Sequence, residues 1–170
     1  MIQDPRKPVI DRYAEGGPLL VQAASGLTAE LARAHPIAGT WSLAEVVAHL
    51  VDSDLVLADR MKRVIAEESP ILQSYDEDAW IARLGSRAMP PDEAAALFAA
   101  NRKWMARVLR AQDESAFARS GIHSQTGRQT LAEILVKGAN HLDHHLRFLY
   151  AKRASLGVAI YPRYTANPGF

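Results

Sequence analysis

Apolar residues recur at intervals of three and four in four long stretches of the chain, and this spacing limits the folds open to it. The interval places apolar side chains on one face of an α-helix, whereas the sustained alternation that is typical of strands does not occur in the sequence. Long amphipathic helices bury their apolar faces by packing on one another. We therefore predict an all-α fold, a four-helix bundle.

Capping and breaking residues predict where the first two long helices begin and end. The first helix is expected over about Gly17 to Ala34, because Pro36 follows it. The second begins after Ser42, which forms a capping-box pattern with Glu45, and is expected to reach about Glu68.

The second half of the chain carries two more long helices and some shorter features. A short extra helix is predicted from about Asp76 to Leu84, and the third long helix opens at the pair Pro90-Pro91, since proline is tolerated in a first turn. The segment "ARSGIHSQTGRQ" is expected to form a loop or a short hairpin. The last long helix begins at the Thr130 capping box and reaches about Lys152, and an extended tail covers about 154–170.

The composition is ordinary for one soluble globular domain, which we place over residues 1–170, with 48% of residues hydrophobic and 23% charged. A chain of this length buries about 70% of its unfolded surface and needs no disulfide to hold a core. The chain has no cysteine, which leaves His, Asp and Glu as metal ligands. Because the start carries no apolar segment of signal-peptide length, we expect a cytoplasmic protein.

Charge and motifs exclude several classes of function. The net charge is only +1, with Lys and Arg scattered among acids, so neither a nucleic acid nor a membrane is expected as a partner. The sequence contains no P-loop, no G-x-S-x-G elbow and no G-x-G-x-x-G motif. These absences disfavour nucleoside triphosphate chemistry, serine hydrolysis and a Rossmann domain.

Three of the six histidines lie in "NHLDHH", inside the last predicted helix. At ~100° per residue, His145 lies ~40° and His141 ~80° from the centre of the apolar stripe, whereas His144 lies ~140° away. His141 and His145 therefore face inward, one turn apart, where two imidazoles can bind one ion. A pair at this spacing arises by chance in about one protein in five of this composition, so a hydrogen-bonded core pair is an equal alternative.

His49 lies in another predicted long helix, within "AEVVAHLVDSD". It is ~120° from the centre of that helix's apolar stripe, so a solvent-exposed histidine is the alternative. Three neutral imidazoles on two helices would leave open positions for water or substrate, as in a catalytic metal site. Within one turn of His49, the side chains of Glu45, Asp52 and Ser53 are candidates to orient a ligand or water. Arg60, three turns along the same side, is a candidate to bind an anionic group or to form a salt bridge.

The segments "GTWSLAEVVAHLVDSD", "SPILQSYDEDAW" and "HLDHHLRFL", together with Arg60, resemble the DinB/YfiT-like superfamily, in particular its YfiT-like branch of metal-dependent hydrolases. The resemblance runs from about Ile10 to Leu149. It implies a four-helix bundle of unusual topology, often a homodimer, with a divalent ion that is zinc or nickel. The metal ligands that it implies are His49, His141 and His145, which agrees with the helix-face argument in including His141 and His145 and leaving out His144.

The resemblance also implies a reaction on a small-molecule substrate, either metal-dependent hydrolysis or transfer of a low-molecular-weight thiol to an electrophile. In both reactions a divalent ion would lower the pKa of bound water or of the thiol. The segment "ARSGIHSQTGRQTL" is similar to the family's loop before the last helix, so His123 is expected to approach the site. Gln125 is a further candidate to orient a ligand or water. The alternative that stays open is a non-catalytic, metal-stabilised bundle that acts as a binding or stress-response protein.

Overall fold

A computed structural model describes residues 6–165, in which four long helices form a bundle. These helices are α1 (Lys7–Ala24), α3 (Leu43–Ala66), α5 (Pro91–Arg110) and α6 (Leu131–Ser155). The shorter elements are helices α2 (Ala29–Arg33) and α4 (Glu77–Arg83), strands β1 (Ile71–Leu72), β2 (Ser120–His123) and β3 (Gly127–Thr130), and the 3-10 turns Ser86–Ala88 and Glu114–Ala118. The predicted helical bundle, with a short extra helix and a hairpin before the last helix, is confirmed.

The order of the helices around the bundle brings α3 and α6 side by side. Helix α1 packs against α5 and α6, and α3 packs against the same two helices. The two consecutive long helices α1 and α3 therefore lie diagonally across the bundle, and so do α5 and α6. The two helices that carry the candidate histidines are consequently neighbours.

A small sheet joins the segment after α3 to the segment before α6. Strands β2 and β3 form an antiparallel hairpin, and Gly127 opens β3 with a positive φ of 78° that glycine adopts without strain. Strand β1, which the sequence analysis did not predict, pairs in parallel with β2, with Ile71 opposite Ile122. The residues that follow β1 are thereby held along one edge of the bundle.

Two apolar clusters fill the bundle, and a buried polar group lies between them. Along α3, the residues up to Val51 belong to one cluster and those from Leu57 onward belong to the other. Asp54 lies between them, and Arg102 holds the corresponding position on α5. A buried charge of this kind is tolerated because it is paired and hydrogen-bonded.

The prediction of a first helix over about Gly17–Ala34 is wrong. Helix α1 begins at Lys7 with a proline in its first turn, and a glycine with φ of 67° follows its end and precedes the separate short helix α2. Gly17 lies inside α1 because the helix passes very close to α5 there. A Cβ atom at this position would lie 3.0 Å from Ala99 Cα.

The other boundaries differ from the prediction by only a few residues. Helix α3 ends at Ala66, and α6 continues to Ser155. The described part of the predicted tail packs on α6, where Tyr150 Oη donates to the Arg163 carbonyl at 3.0 Å. The last five residues of that tail, 166–170, lie outside the described residues. None of the helices between residues 6 and 165 combines the length and apolarity required to cross a bilayer.

Candidate metal centre

Three imidazole rings from two neighbouring helices converge in the bundle. His49 on α3 and His141 and His145 on α6 each offer one ring nitrogen, and these nitrogens all lie within 4.8 Å of one another. The shortest described approach joins His49 Nε2 and His141 Nε2, at 3.2 Å. The structure thus brings together the three residues that the sequence analysis selected, which we call the histidine trio.

Local helix geometry accounts for the positions of the trio. His141 and His145 are one turn apart on α6, so their side chains leave the same face of the helix. The capping box at the start of α3 fixes the register of His49, because the Ser42 backbone N–H donates to Glu45 Oε2 at 2.7 Å and the Glu45 N–H donates to Ser42 Oγ at 3.2 Å.

The alternative of a solvent-exposed His49 is wrong, because only 2% of this residue is exposed. The ring of Trp41 covers it from one side, with centroids 4.8 Å apart, and α6 covers it from another. The apolar stripe of α3 could not reveal this burial, because α3 is buried over a face wider than the stripe, on which His49 packs against His141 and His145 of α6. His144 is exposed and packs its ring edge-on against Phe148.

Burial keeps the trio uncharged at neutral pH. Loss of hydration is the main cause that lowers the pKa of His49 to about 4 and the pKa values of His141 and His145 to about 3. The neighbouring imidazoles lower the pKa values of His141 and His145 further. A neutral imidazole carries one free lone pair, which is the form that binds a metal.

The donor atoms of the trio fit a divalent ion. Two Nε2 atoms 3.2 Å apart can either share one proton in a hydrogen bond or both direct lone pairs at a cation. The buried Nδ1 of His145 has no hydrogen-bond partner among residues 6–165. Imidazole nitrogen suits zinc, nickel, copper and iron, and a set of three leaves further coordination positions open.

Polar groups from α3 and from the start of α4 surround His49. Ser53 Oγ lies 3.4 Å from His49 Nε2 and 2.6 Å from the Tyr75 hydroxyl, whose pKa is raised by burial. Glu77 Oε2 lies 3.8 Å from the same His49 nitrogen, and this carboxylate is 56% exposed. The sequence analysis missed Tyr75 and Glu77, although both lie in the polar run "SYDEDAW", which it used to predict a helix and to identify the family resemblance but not to select site residues.

Three cavities border the trio. A shallow one of about 630 Å³ borders His141 along the outer surface of α6, and two others reach the trio from different sides. The first of these two, of about 120 Å³, borders His141 and is lined by Ser53, Leu57, Arg60, Tyr75, Glu77 and Lys137. The second, of about 410 Å³, borders His145 and is more apolar, with Ile37, Trp41, Val46, Phe148 and Lys152 in its lining. Within the trio, His49 is buried and His141 and His145 are half-buried, so the site lies between the helices and small molecules can reach it.

The remaining candidates lie farther from the trio. Glu45 is held by the capping box, with Oε2 3.7 Å from His35 Nε2, and Asp52 lines cavities on the outer side of α3. His123 is buried in the hairpin, where its Nδ1 accepts the backbone N–H of Gln125 at 3.2 Å. Within residues 6–165, no hydrogen bond or ion pair joins Glu45, Asp52, His123 or Gln125 to the trio.

Comparison with known proteins relates most of the chain to one family. A family model described as the DinB superfamily matches residues 13–149. A Bacillus licheniformis protein that carries the provisional name metal-dependent hydrolase is 29% identical over 140 residues, which are 82% of this chain and 80% of that protein. YfiT of Bacillus subtilis, with the same provisional name, is 33% identical over 110 residues, which are 64% of this chain and 61% of YfiT.

Solved structures show the same architecture. A structure of YfiT from Bacillus subtilis, described as a probable metal-dependent hydrolase with an unusual four-helix bundle topology, superposes with a TM-score of 0.84 at 26% identity and covers 92% of this chain and 90% of YfiT. The mycothiol-dependent maleylpyruvate isomerase superposes with a TM-score of 0.61 at 17% identity, over 92% of this chain and 62% of the isomerase. This second likeness is one of fold alone.

Proposed function

Since the chain belongs to the DinB superfamily, as its sequence motifs predicted, we propose that it is a metal-dependent enzyme in which His49, His141 and His145 hold one divalent ion. One observation carries this proposal: three neutral imidazoles from two helices, one buried and two half-buried, converge at a point that cavities border on several sides. A purely structural metal site is usually closed by four protein ligands, whereas a catalytic site leaves a position for water or substrate.

The chemistry proposed for the site follows from its uncharged ligands. A divalent ion supplies a Lewis acid that makes a nucleophile from water or from a small thiol at neutral pH. Neutral imidazoles leave the charge of the ion undiminished, and zinc or nickel suits them. Glu77, exposed and near His49, is proposed to accept a proton from the incoming nucleophile. The Ser53 and Tyr75 hydroxyls, which are hydrogen-bonded to each other beside His49 Nε2, are proposed to orient the incoming water or thiol.

Two reactions are compatible with this site. Hydrolysis is supported by the names that the Bacillus relatives carry. Transfer of a thiol is supported by the name of the mycothiol-dependent isomerase, whose fold this chain shares. The thiol would have to come from outside, because the chain has no cysteine. A small-molecule substrate, a homodimer and a cytoplasmic location stay predictions.

Metal analysis of untagged protein tests the proposed ligands. We expect about one ion per chain in the wild type, and loss of the ion in His49→Ala, His141→Ala and His145→Ala. His144→Ala is the matched control, because it removes an exposed imidazole from the same helix and should retain the ion. Equal metal content in all four variants would contradict the proposal.

A second measurement separates an enzyme from a bundle that the metal only ties together. In cobalt-substituted protein, azide or 2-mercaptoethanol should change the visible absorption spectrum, because an open coordination position admits them. A spectrum that neither additive changes would support the non-catalytic alternative.

A further inference from the structure

Arg60 on α3 is a buried guanidinium that lacks a carboxylate partner. It is 5% exposed, its Nη2 donates to the backbone carbonyl of Gln73, and its Nε is buried without a hydrogen-bond partner. Within residues 6–165, no ion pair to an Asp or Glu oxygen forms at this guanidinium. A buried cation without a counter-ion is costly, so the arrangement calls for an anion from outside.

Three acidic side chains share a cavity with Arg60 and form no ion pair with it; Asp52 is one of them, on the outer side of α3. Asp59, the preceding residue, accepts from Arg63 Nε at 2.8 Å on the exposed side of α3. Glu77 lies across the cavity and approaches His49 instead. Burial lowers the pKa of Arg60 and the charge of Asp59 partly offsets this, but none of the three carboxylates forms an ion pair with the guanidinium.

A second cation and a hydroxyl face the same cavity. Lys137 on α6 and Tyr75 line it together with Arg60, and His141 of the trio forms part of its wall. The pKa of His123, lowered mainly by burial, is lowered further by Arg60 and Lys137, which places both positive charges on this side of the bundle. The cavity volume of about 120 Å³ equals that of about four water molecules, each of which takes about 30 Å³.

We propose that this cavity binds a carboxylate of the substrate, with Arg60 as its anchor, Lys137 as a second cation and the Tyr75 hydroxyl as a hydrogen-bond donor. The planar guanidinium matches a carboxylate with two parallel N–H donors. This inference rests on the proposed function in one respect: His141 in the cavity wall would set the carbon atoms beside the carboxylate against the metal centre. The substrate class is then a small organic acid, and the carboxylate belongs to the electrophile or to a thiol cosubstrate.

Titration with propionate and propionamide, followed by NMR on zinc-loaded protein, tests the inference. The wild type should bind propionate and not the uncharged amide. Arg60→Gln should weaken propionate binding by about tenfold or more, because a desolvated charge pair is lost. Arg63→Gln is the matched control, since it removes an exposed guanidinium from the same helix and should leave the affinity unchanged.

Two further variants separate anion binding from a structural role of Arg60, which also ties α3 to Gln73. Arg60→Lys keeps the charge without the forked donors and should give an intermediate affinity. Lys137→Gln changes an exposed side chain and should weaken binding by about threefold, whereas Lys103→Gln, on an exposed position of α5, should not. Wild-type propionate affinity in both Arg60→Lys and Lys137→Gln would overturn the inference.

Thiol probes identify which reactant carries the carboxylate. Arg60-dependent binding that is stronger for 3-mercaptopropionate than for propionate, with weak binding of 2-mercaptoethanol, would assign the carboxylate to the thiol. Equal affinities for the two acids would assign it to the electrophile. Preference for inorganic phosphate, or propionamide binding as tight as propionate binding, would overturn the inference.

Metal content, measured for every variant, distinguishes two failures. If the protein binds stoichiometric metal but its propionate affinity does not depend on Arg60, the carboxylate site is wrong and the proposed function stands. If the trio binds no metal but propionate binding depends on Arg60, the proposed function is wrong and the carboxylate site is supported.

Discussion

Arg102 on α5 donates from Nε to Asp54 Oδ1 on α3 at 2.8 Å, and the two side chains are 1% and 2% exposed. The same guanidinium donates to the carbonyl of Gly138 on α6 at 2.7 Å and to the carbonyl of Tyr13 on α1 at 3.2 Å. All four long helices therefore meet at one buried ion pair. Because Asp54 and Gly138 are close in sequence to His49 and His141, this pair also fixes the helices that carry the trio.

Asp54→Ala should lower the free energy of unfolding by about 3–5 kcal/mol, because it leaves the Arg102 guanidinium buried without a counter-ion. Urea denaturation measures the change. Asp59→Ala removes a carboxylate from an exposed pair with Arg63 on the same helix and should change stability by about 1 kcal/mol or less. Similar losses of unfolding free energy in the two variants would show that the buried pair contributes no more to stability than the exposed pair.

Acid should destabilise the metal-free protein through the trio. Burial lowers the pKa of His49 to about 4 and those of His141 and His145 to about 3, so the folded state binds fewer protons than the unfolded state. This contribution is complete above the unfolded pKa of about 6.5 and is lost as the pH falls from there through about 4 to 3. Urea midpoints in the presence of a chelator, measured across this range, should fall for the wild type.

The pH profile has a matched pair of variants. His141→Gln should reduce the loss of stability on acidification, because a glutamine does not titrate. His144→Ala should change this loss only slightly, because His144 has the smallest effect on the pKa values of His141 and His145. A wild-type slope in His141→Gln would contradict the assignment of the fall to the trio.

Trp41 should report on metal binding. Its ring lies 4.8 Å from the His49 ring and 6.5 Å from the His145 ring, measured between centroids. Added nickel should quench its fluorescence, and Trp41→Phe should remove most of the response. Trp104→Phe is the control, since Trp104 is 59% exposed and takes no part in the site. A quench that persists undiminished in Trp41→Phe would place the ion elsewhere.

Gly16→Ala should destabilise the bundle although alanine favours a helix by about 1 kcal/mol. The added Cβ would lie 2.3 Å from Arg102 Nη1 and 2.5 Å from Leu142 Cδ2, so we expect a net loss of about 1–3 kcal/mol in thermal or urea unfolding. Glu15→Ala, at the exposed neighbouring position, should change stability by about 0.5 kcal/mol or less. Unchanged stability of Gly16→Ala would mean that α1 and α5 can separate at this point without a loss of free energy.

Helical periodicity and capping predicted the parts of the fold that depend on local sequence. The capping boxes at Ser42 and Thr130 mark the starts of α3 and α6 in the structure, and the inward faces of α6 gave His141 and His145. These predictions succeed because residues three and four apart share a helix face whatever the helix packs against.

Features that depend on contacts between distant segments were not predictable in the same way. The run of glycines and proline around Gly17 looks like a helix start, and only the approach of α5 explains its place inside α1. Strand β1 has two residues, too few for any periodicity, and is defined by its pairing with β2. The approach of Glu77 to His49 depends on how the segment after β1 lies against α3.

His49 and His141 are 92 positions apart in the chain, and the chain has no cysteine. An ion bound by both residues would close a long loop, as a disulfide does in secreted proteins, and would reduce the configurational freedom of the denatured chain. The concentration of the free ion would then set the fraction of molecules that are unfolded and therefore open to proteases. In such a protein, starvation for the metal would shorten its lifetime in addition to silencing its chemistry.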